Sequence, residues 1–332
     1  MIEKIERKRV WLFLAISFGL AWAAALAIYL TGGITASPPL LPGSQVTLAV
    51  VLMAGVIMMA PTVANILTRL ITREGKESLY LRPGTRPKPA LYWLAAWFVT
   101  ALLILAGAAL FFWLFPPYFD SDFTTIKTLL EQQAQAQGVP APAVDPWFVV
   151  ASSVVQALLL APVLNALFTY GEEFGWRGYL LPKLLPLGNR RAVLLSGVIW
   201  GLWHAPLIAM GHNYGTDYLE YPWLGILMMI VFCVGFGTYL AWLTLKEGSI
   251  WPAVIAHAVM NALAGISGLV LAAKVDPVMG PMPVNLIGGT PFLLLTLFFL
   301  MIPEALSEAR NKPRWQPIPI DAPEDGPTSQ DA

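Results

Sequence analysis

The chain has 332 residues, 57% of them hydrophobic and 12% charged, and its twenty Lys and Arg balance twenty Asp and Glu to a net charge of zero. Soluble domains carry about 25% charged residues, so a water-soluble globule is excluded, and no basic excess marks a nucleic-acid partner. The charges are also confined: residues 10–68, 89–119, 146–171, 192–216, 221–245, 248–273 and 277–303 contain none.

Roughly 20 apolar residues cross a bilayer core as a helix, and every one of these stretches is longer than that. The first is long enough for two crossings and holds its own turn chemistry in Thr31-Gly32-Gly33 and Ser37-Pro38-Pro39. Taken in order, the expected helices are 10–30, 46–68, 90–115, 147–171, 192–210, 222–245, 249–272 and 285–303. The fold class is therefore an all-α, polytopic transmembrane bundle of about eight helices. The N-terminus starts charged, as a signal peptide does. Its apolar run exceeds the usual length of about 7 to 15 residues, which reads as a retained anchor.

Orientation follows from Lys and Arg, which cytoplasmic loops retain in excess. One set of alternate segments holds 18 of them: the N-terminus, the second, fourth and sixth loops, and the C-terminal tail. The opposite set holds only Lys127 and Lys274. Eight crossings with both termini in the cytoplasm give this split. Residues 1–311 then form the integral membrane domain, and 312–332, rich in Pro and acids, read as a disordered cytoplasmic tail. Residues 116–146 form the one sizeable external loop, with Leu129, Leu130 and a Gln-Ala run able to lie as a short surface helix. The single Cys233 falls inside a span, so no intramolecular disulfide and no cysteine metal site is expected.

Ionisable groups at membrane depth are costly and mark function. Glu172 and Glu173 follow directly on the fourth apolar run, His204 lies in the fifth, and His257 with Asn261 in the seventh. Positions four apart share a helix face, so Glu173 pairs with Arg177 while Glu172 points about 100° away. His257 and Asn261 share a face in the same way. Trp200 lies one turn before His204 and walls its pocket. At 1.5 Å per residue, His257 is about 12 Å and Glu172 about 14 Å from the cytoplasmic ends of their helices, whereas His204 is about 18 to 21 Å deep. A shared cavity in the cytoplasmic half is expected.

Two chemistries suit such a set. A carboxylate in an apolar cavity can take a proton from water, with imidazole and carboxamide groups holding the water or an oxyanion, which supports hydrolysis of an acyl bond. Alternatively Glu172, His204 and His257 bind a divalent metal such as zinc, which activates the water. No His-Glu-x-x-His is present.

Glu172-Glu173-x-x-x-Arg177, then Trp200-x-x-x-His204, then His257-x-x-x-Asn261, in this order on successive helices, resembles the CAAX protease and bacteriocin-processing family of intramembrane endopeptidases, and is similar to the type II CAAX prenyl endopeptidases. The resemblance spans about 147–265 and includes the strings Glu-Glu-Phe-Gly-Trp-Arg-Gly-Tyr-Leu and Gly-Leu-Trp-His-Ala-Pro-Leu. It implies Glu172 as the base, His204 as a second holder of the water, and His257 with Asn261 as the oxyanion site. Glu173 and Arg177 take supporting places. A metal-free glutamate mechanism is the favoured reading, with no cofactor. Where this chain has Trp200 the family often has Phe, a change expected to alter pocket shape rather than chemistry. The implied partners are membrane lipids and a membrane-associated peptide or protein, lipidated or not. The implied place is the plasma membrane, with the site toward the cytoplasm. A non-catalytic immunity or scaffold protein and a proton-coupled transporter are the competing classes. His212 falls in an external loop and is assigned no chemistry.

Overall fold

The computed structural model describes residues 6–41, 44, 46–75, 79–82, 89–302 and 304–307. The boundary expected at 311 and the tail 312–332 lie outside the described residues. The described chain is helical. Its only extended pairings are isolated bridges, Pro39 with Thr47 and Phe119 with Leu271.

In chain order the main helices are α1 (Arg7–Leu30), α2 (Leu48–Ile71), α3 (Ala90–Leu114), α4 (Thr124–Gln137), α5 (Pro146–Leu159), α6 (Ala161–Gly175), α7 (Asn189–Trp203), α8 (Trp223–Glu247), α9 (Trp251–Leu263) and α10 (Leu286–Met301). Each of the eight expected apolar segments contains at least one of them. Five helical stretches are long and apolar enough to cross a membrane: α1, α2, α3, α8, and α9 extended to Val270. The bent pair Pro146–Leu159 and Pro162–Leu187 makes a sixth if taken as one crossing. The helices in 192–210 and 285–303 have 15 and 16 residues, about 22 to 24 Å, short of the roughly 30 Å core. The breakers that shorten α7 are in the sequence: Pro186-Leu187-Gly188 before it and Pro206 after it.

The bend between α5 and α6 is 53° and has a local cause. Pro162 has no N–H to give the carbonyl of Leu158, four residues back, so the ladder opens there. The orphaned Leu158 carbonyl accepts the indole N–H of Trp97 from α3 instead. Exposed Leu159, Leu160, Val163, Leu164 and Leu167 leave an apolar outer face on this pair, as lipid contact requires.

Glycines set the closest crossings. Gly171 and Gly175 of α6 lie against Met58 to Pro61 of α2, where a Cβ on Gly175 would collide with Pro61. Gly197 and Gly201 of α7 lie on α8, where a Cβ on Gly201 would stand 2.5 Å from Ile230 Cα. Small residues four apart let helix backbones approach in this way, and van der Waals packing at such seams replaces the hydrophobic drive that lipid removes. Helices α6 and α7 carry the Glu-Glu and Trp-His motifs, so both are fixed by glycine seams. Helix α9, with His257, packs on the other side of α6 and against α8.

Within segment 116–146 lies α4, tied down at its N-terminal end. The Asp120 carboxylate accepts the Thr125 N–H at 2.8 Å, and Thr125 Oγ1 donates to the Leu271 carbonyl at 2.9 Å. At the opposite end of the bundle, Lys183 Nζ meets Glu6 at 2.9 Å and Glu74 at 2.5 Å, joining the start of α1, the end of α2 and the extension of α6.

Candidate active site

Glu172 and Glu173 close the last turn of α6. Immediately beyond them the helix widens into a π-helical turn, Trp176–Leu180. Such turns disturb the i to i+4 ladder and leave a carbonyl to be satisfied from outside. Here the Phe174 carbonyl accepts the side-chain N–H of Asn65 on α2 at 2.8 Å, and Asn65 Oδ1 in turn accepts Arg69 Nε at 2.8 Å. Asn65 is fully buried. It sits in the middle of an apolar run, and that is the only signal in the sequence that could have marked it as a support of the glutamate turn.

The two adjacent carboxylates have different partners. Glu173 Oε1 accepts Arg177 Nη1 at 2.9 Å and His257 Nδ1 at 2.8 Å. The i, i+4 ion pair expected from spacing is thus present and extended by His257. Glu172 Oε2 accepts the indole N–H of Trp200 at 2.7 Å. The guanidinium of Arg177 lies 4.3 Å over the Trp200 ring, so the indole is bonded to one glutamate and stacked against the partner of the other. Gly237 of α8 makes room, since a Cβ there would stand 3.2 Å from Arg177 Nη2. Glu172, Glu173, Arg177, Trp200 and His257 are all at most 5% exposed.

His204 caps the C-terminus of α7. Its Nδ1 faces the Trp200 carbonyl at 2.8 Å, which requires Nδ1 to be the donor and leaves the Nε2 lone pair for another group when the ring is neutral. Its ring lies 5.9 Å from that of Trp200 and 4.8 Å from that of Trp203. The depth mismatch read from sequence is met by Trp200, which stands one turn nearer the N-terminal end of α7 than His204 and is the group that reaches Glu172. Trp200 also packs on His257 with centroids 5.4 Å apart, and Phe236 closes that ring from α8 at 5.9 Å.

The structure therefore brings together Glu172, Glu173, Arg177, Trp200, His204 and His257. It leaves Asn261 exposed, one turn beyond His257 and with no hydrogen bond among the described residues. Trp200 does more than shape the pocket, because a Phe cannot supply its hydrogen bond to Glu172. Among the described residues no three His, Cys, Asp or Glu side chains converge as a metal ligand set, Glu172, His204 and His257 included.

A helical membrane bundle with a buried Glu-Glu-Arg-Trp-His cluster drawn from three motif helices is the class these features define. Residues 145–263 match the family described as type II CAAX prenyl endopeptidase Rce1-like. A relative named CAAX prenyl protease 2, from Methanococcus maripaludis, is 34% identical over 93 residues, which is 27% of this chain and 34% of the relative. The match thus spans about a third of that relative's length. Both findings support the CAAX protease family for the motif-bearing segment.

Proposed function

We propose that the chain is an intramembrane endopeptidase that hydrolyses a peptide bond near the cytoplasmic face of the membrane, using a water activated by Glu172. The observation that carries this reading is the division between the adjacent carboxylates. Glu173 holds the cationic Arg177 and His257 through Oε1, its buried Oε2 having no hydrogen-bond partner among the described residues, whereas Glu172 has one neutral indole donor on Oε2 and keeps acceptor capacity for a water. In the proposed reaction Glu172 takes a proton from the water as its oxygen attacks the scissile carbonyl carbon. His204 holds the same water through Nε2. His257, its Nδ1 on Glu173, offers a second N–H at Nε2 when protonated, and together with Asn261 donates to the oxyanion. Glu172 then returns the proton to the leaving amine. No step is routed through a metal, and a chelator is expected to leave the rate unchanged.

The lysine and arginine bias supports both termini and the site facing the cytoplasm. The substrate class we infer is a membrane-associated peptide or protein. The relative's name supports a prenylated C-terminus as the first substrate to try. The test compares membrane peptides from cells carrying the wild type or Glu172→Gln. Loss of about 10³-fold or more in cleavage, with folding intact, is expected for a general base whose removal deletes the proton acceptor. Cleavage of every wild-type substrate by the variant overturns the assignment, and full complementation by Glu172→Ala would favour a non-catalytic immunity or scaffold role.

A further inference from the structure

The start of α1 and the end of α2 border a depression of about 470 Å³ that none of the glutamate-cluster residues lines. Arg7, Lys8, Arg9 and Arg73 line it, with Glu6 as its one carboxylate. Glu6 is already engaged, accepting Arg9 Nη1 at 2.5 Å and Lys183 Nζ at 2.9 Å, and Arg9 also lies 3.5 Å from Glu74. Arg7, Lys8 and Arg73 are exposed, and among the described residues no carboxylate lies within ion-pair distance of any of them. Three uncompensated cations therefore converge on one depression.

Their level along the helices specifies the ligand. Arg7 is the first residue of α1, and Arg73 lies two residues past the end of α2, where the apolar spans stop. Directly on the apolar side of the cations, Trp11, Leu70 and Ile71 are 70%, 68% and 61% exposed. An exposed Trp beside basic residues is the pattern of a membrane interface, and clustered Lys and Arg next to a span attract anionic lipid. A free phosphate would use the cations and leave the apolar ledge bare. A phospholipid uses both, its phosphodiester on Arg7, Lys8 and Arg73 and its acyl chains along Trp11, Leu70 and Ile71.

We propose that this depression is a headgroup site for an anionic phospholipid. The test uses the full chain, purified in neutral detergent and stripped of lipid, then titrated with phosphatidylglycerol or phosphatidylcholine and read by native mass spectrometry. Phosphatidylglycerol is expected to bind more tightly than phosphatidylcholine. The triple variant Arg7→Gln, Lys8→Gln, Arg73→Gln is expected to lose about tenfold or more in phosphatidylglycerol affinity, since each such cation near an anionic headgroup contributes a several-fold factor. Trp11→Ala tests the ledge and should weaken the lipid while leaving any binding of inorganic phosphate unchanged. Wild-type affinity in the triple variant, equal retention of the two lipids, or displacement of phosphatidylglycerol by an equal concentration of inorganic phosphate each overturns the proposal, the last by identifying a phosphate site instead. A thermal melt of each variant in the same detergent separates lost binding from lost fold.

Discussion

Helices α2 and α8 are nearly equal in length, 24 and 25 residues, and equally apolar, yet 28% of the most apolar stretch of α2 is buried against 61% of that of α8. Hydropathy reports the solvent a helix can tolerate, and lipid and protein interior are equally apolar solvents for Leu and Val. What separates the two is the placement of small residues. Helix α8 carries Gly235 on the face that meets α10, and Gly237 on the nearly opposite face that meets Arg177, Trp200 and the α7 glycines. Helix α2 accepts the α6 glycines along one strip and packs on α1 along another, and Val50, Val51, Ile66, Leu67, Leu70 and Ile71 are left exposed. The lesson is that in a membrane chain the core is marked by where backbones touch, and much less by where the sequence is most apolar.

The contrast can be tested by substitution. The largest effect is expected at the α7–α8 seam: Gly201→Val drives a side chain into Ile230 and should cost about 1–3 kcal/mol, read as a lowered unfolding temperature in detergent, with activity falling in parallel. An unchanged melt would mean the seam can spread at little cost. Next comes Trp200→Phe, which keeps a ring under Arg177 but removes the donor to Glu172. Turnover should drop by about tenfold, in line with about 1.5 kcal/mol for a hydrogen bond to a charged group, while the melting temperature stays close to wild type. Asn65→Ala on α2 strands the Phe174 carbonyl and should destabilise by about 1 kcal/mol. It should also reduce turnover at saturating substrate more than it changes KM, because the glutamate turn loses its outside support. Its neighbour Ile66, 46% exposed, supplies the smallest effect, with Ile66→Ala expected within about 0.5 kcal/mol by the same melt. If Asn65→Ala and Ile66→Ala behaved alike, the supporting role given to Asn65 would be wrong.

The apolar segments were legible because a charge-free stretch of 25 residues or more has few alternatives to a membrane helix. Their number of crossings was less so, because the helices in 192–210 and 285–303 are only 15 and 16 residues long, and Pro162 bends a further segment through a break that Trp97 repairs from another helix. The Glu173–Arg177 pair was legible from i, i+4 spacing, which is local. The link from His257 to Glu173, and from Trp200 to Glu172, required knowing how α6, α7 and α9 face one another, a property of the glycine seams rather than of any motif. Asn65 was visible only as a polar residue in an apolar run, and its role was not: its partner is a backbone carbonyl beside a π-helical turn, 109 residues later, and neither the turn nor that carbonyl has a residue-type signature.

The π-helical turn at Trp176–Leu180 is equivalent to one residue inserted into an α-helix, and an inserted residue is a rotation of about 100° for everything that follows. Glu172 and Glu173 lie before it, whereas Tyr179 and Lys183, which bond Glu74, lie within it and after it. The turn therefore works as a phase shifter between two registers on one helix, one aimed at the membrane interior and one at the charged end of the bundle. Deleting a single residue from it would restore a regular helix and swing the Lys183 anchor away from Glu74 while both glutamates kept their places.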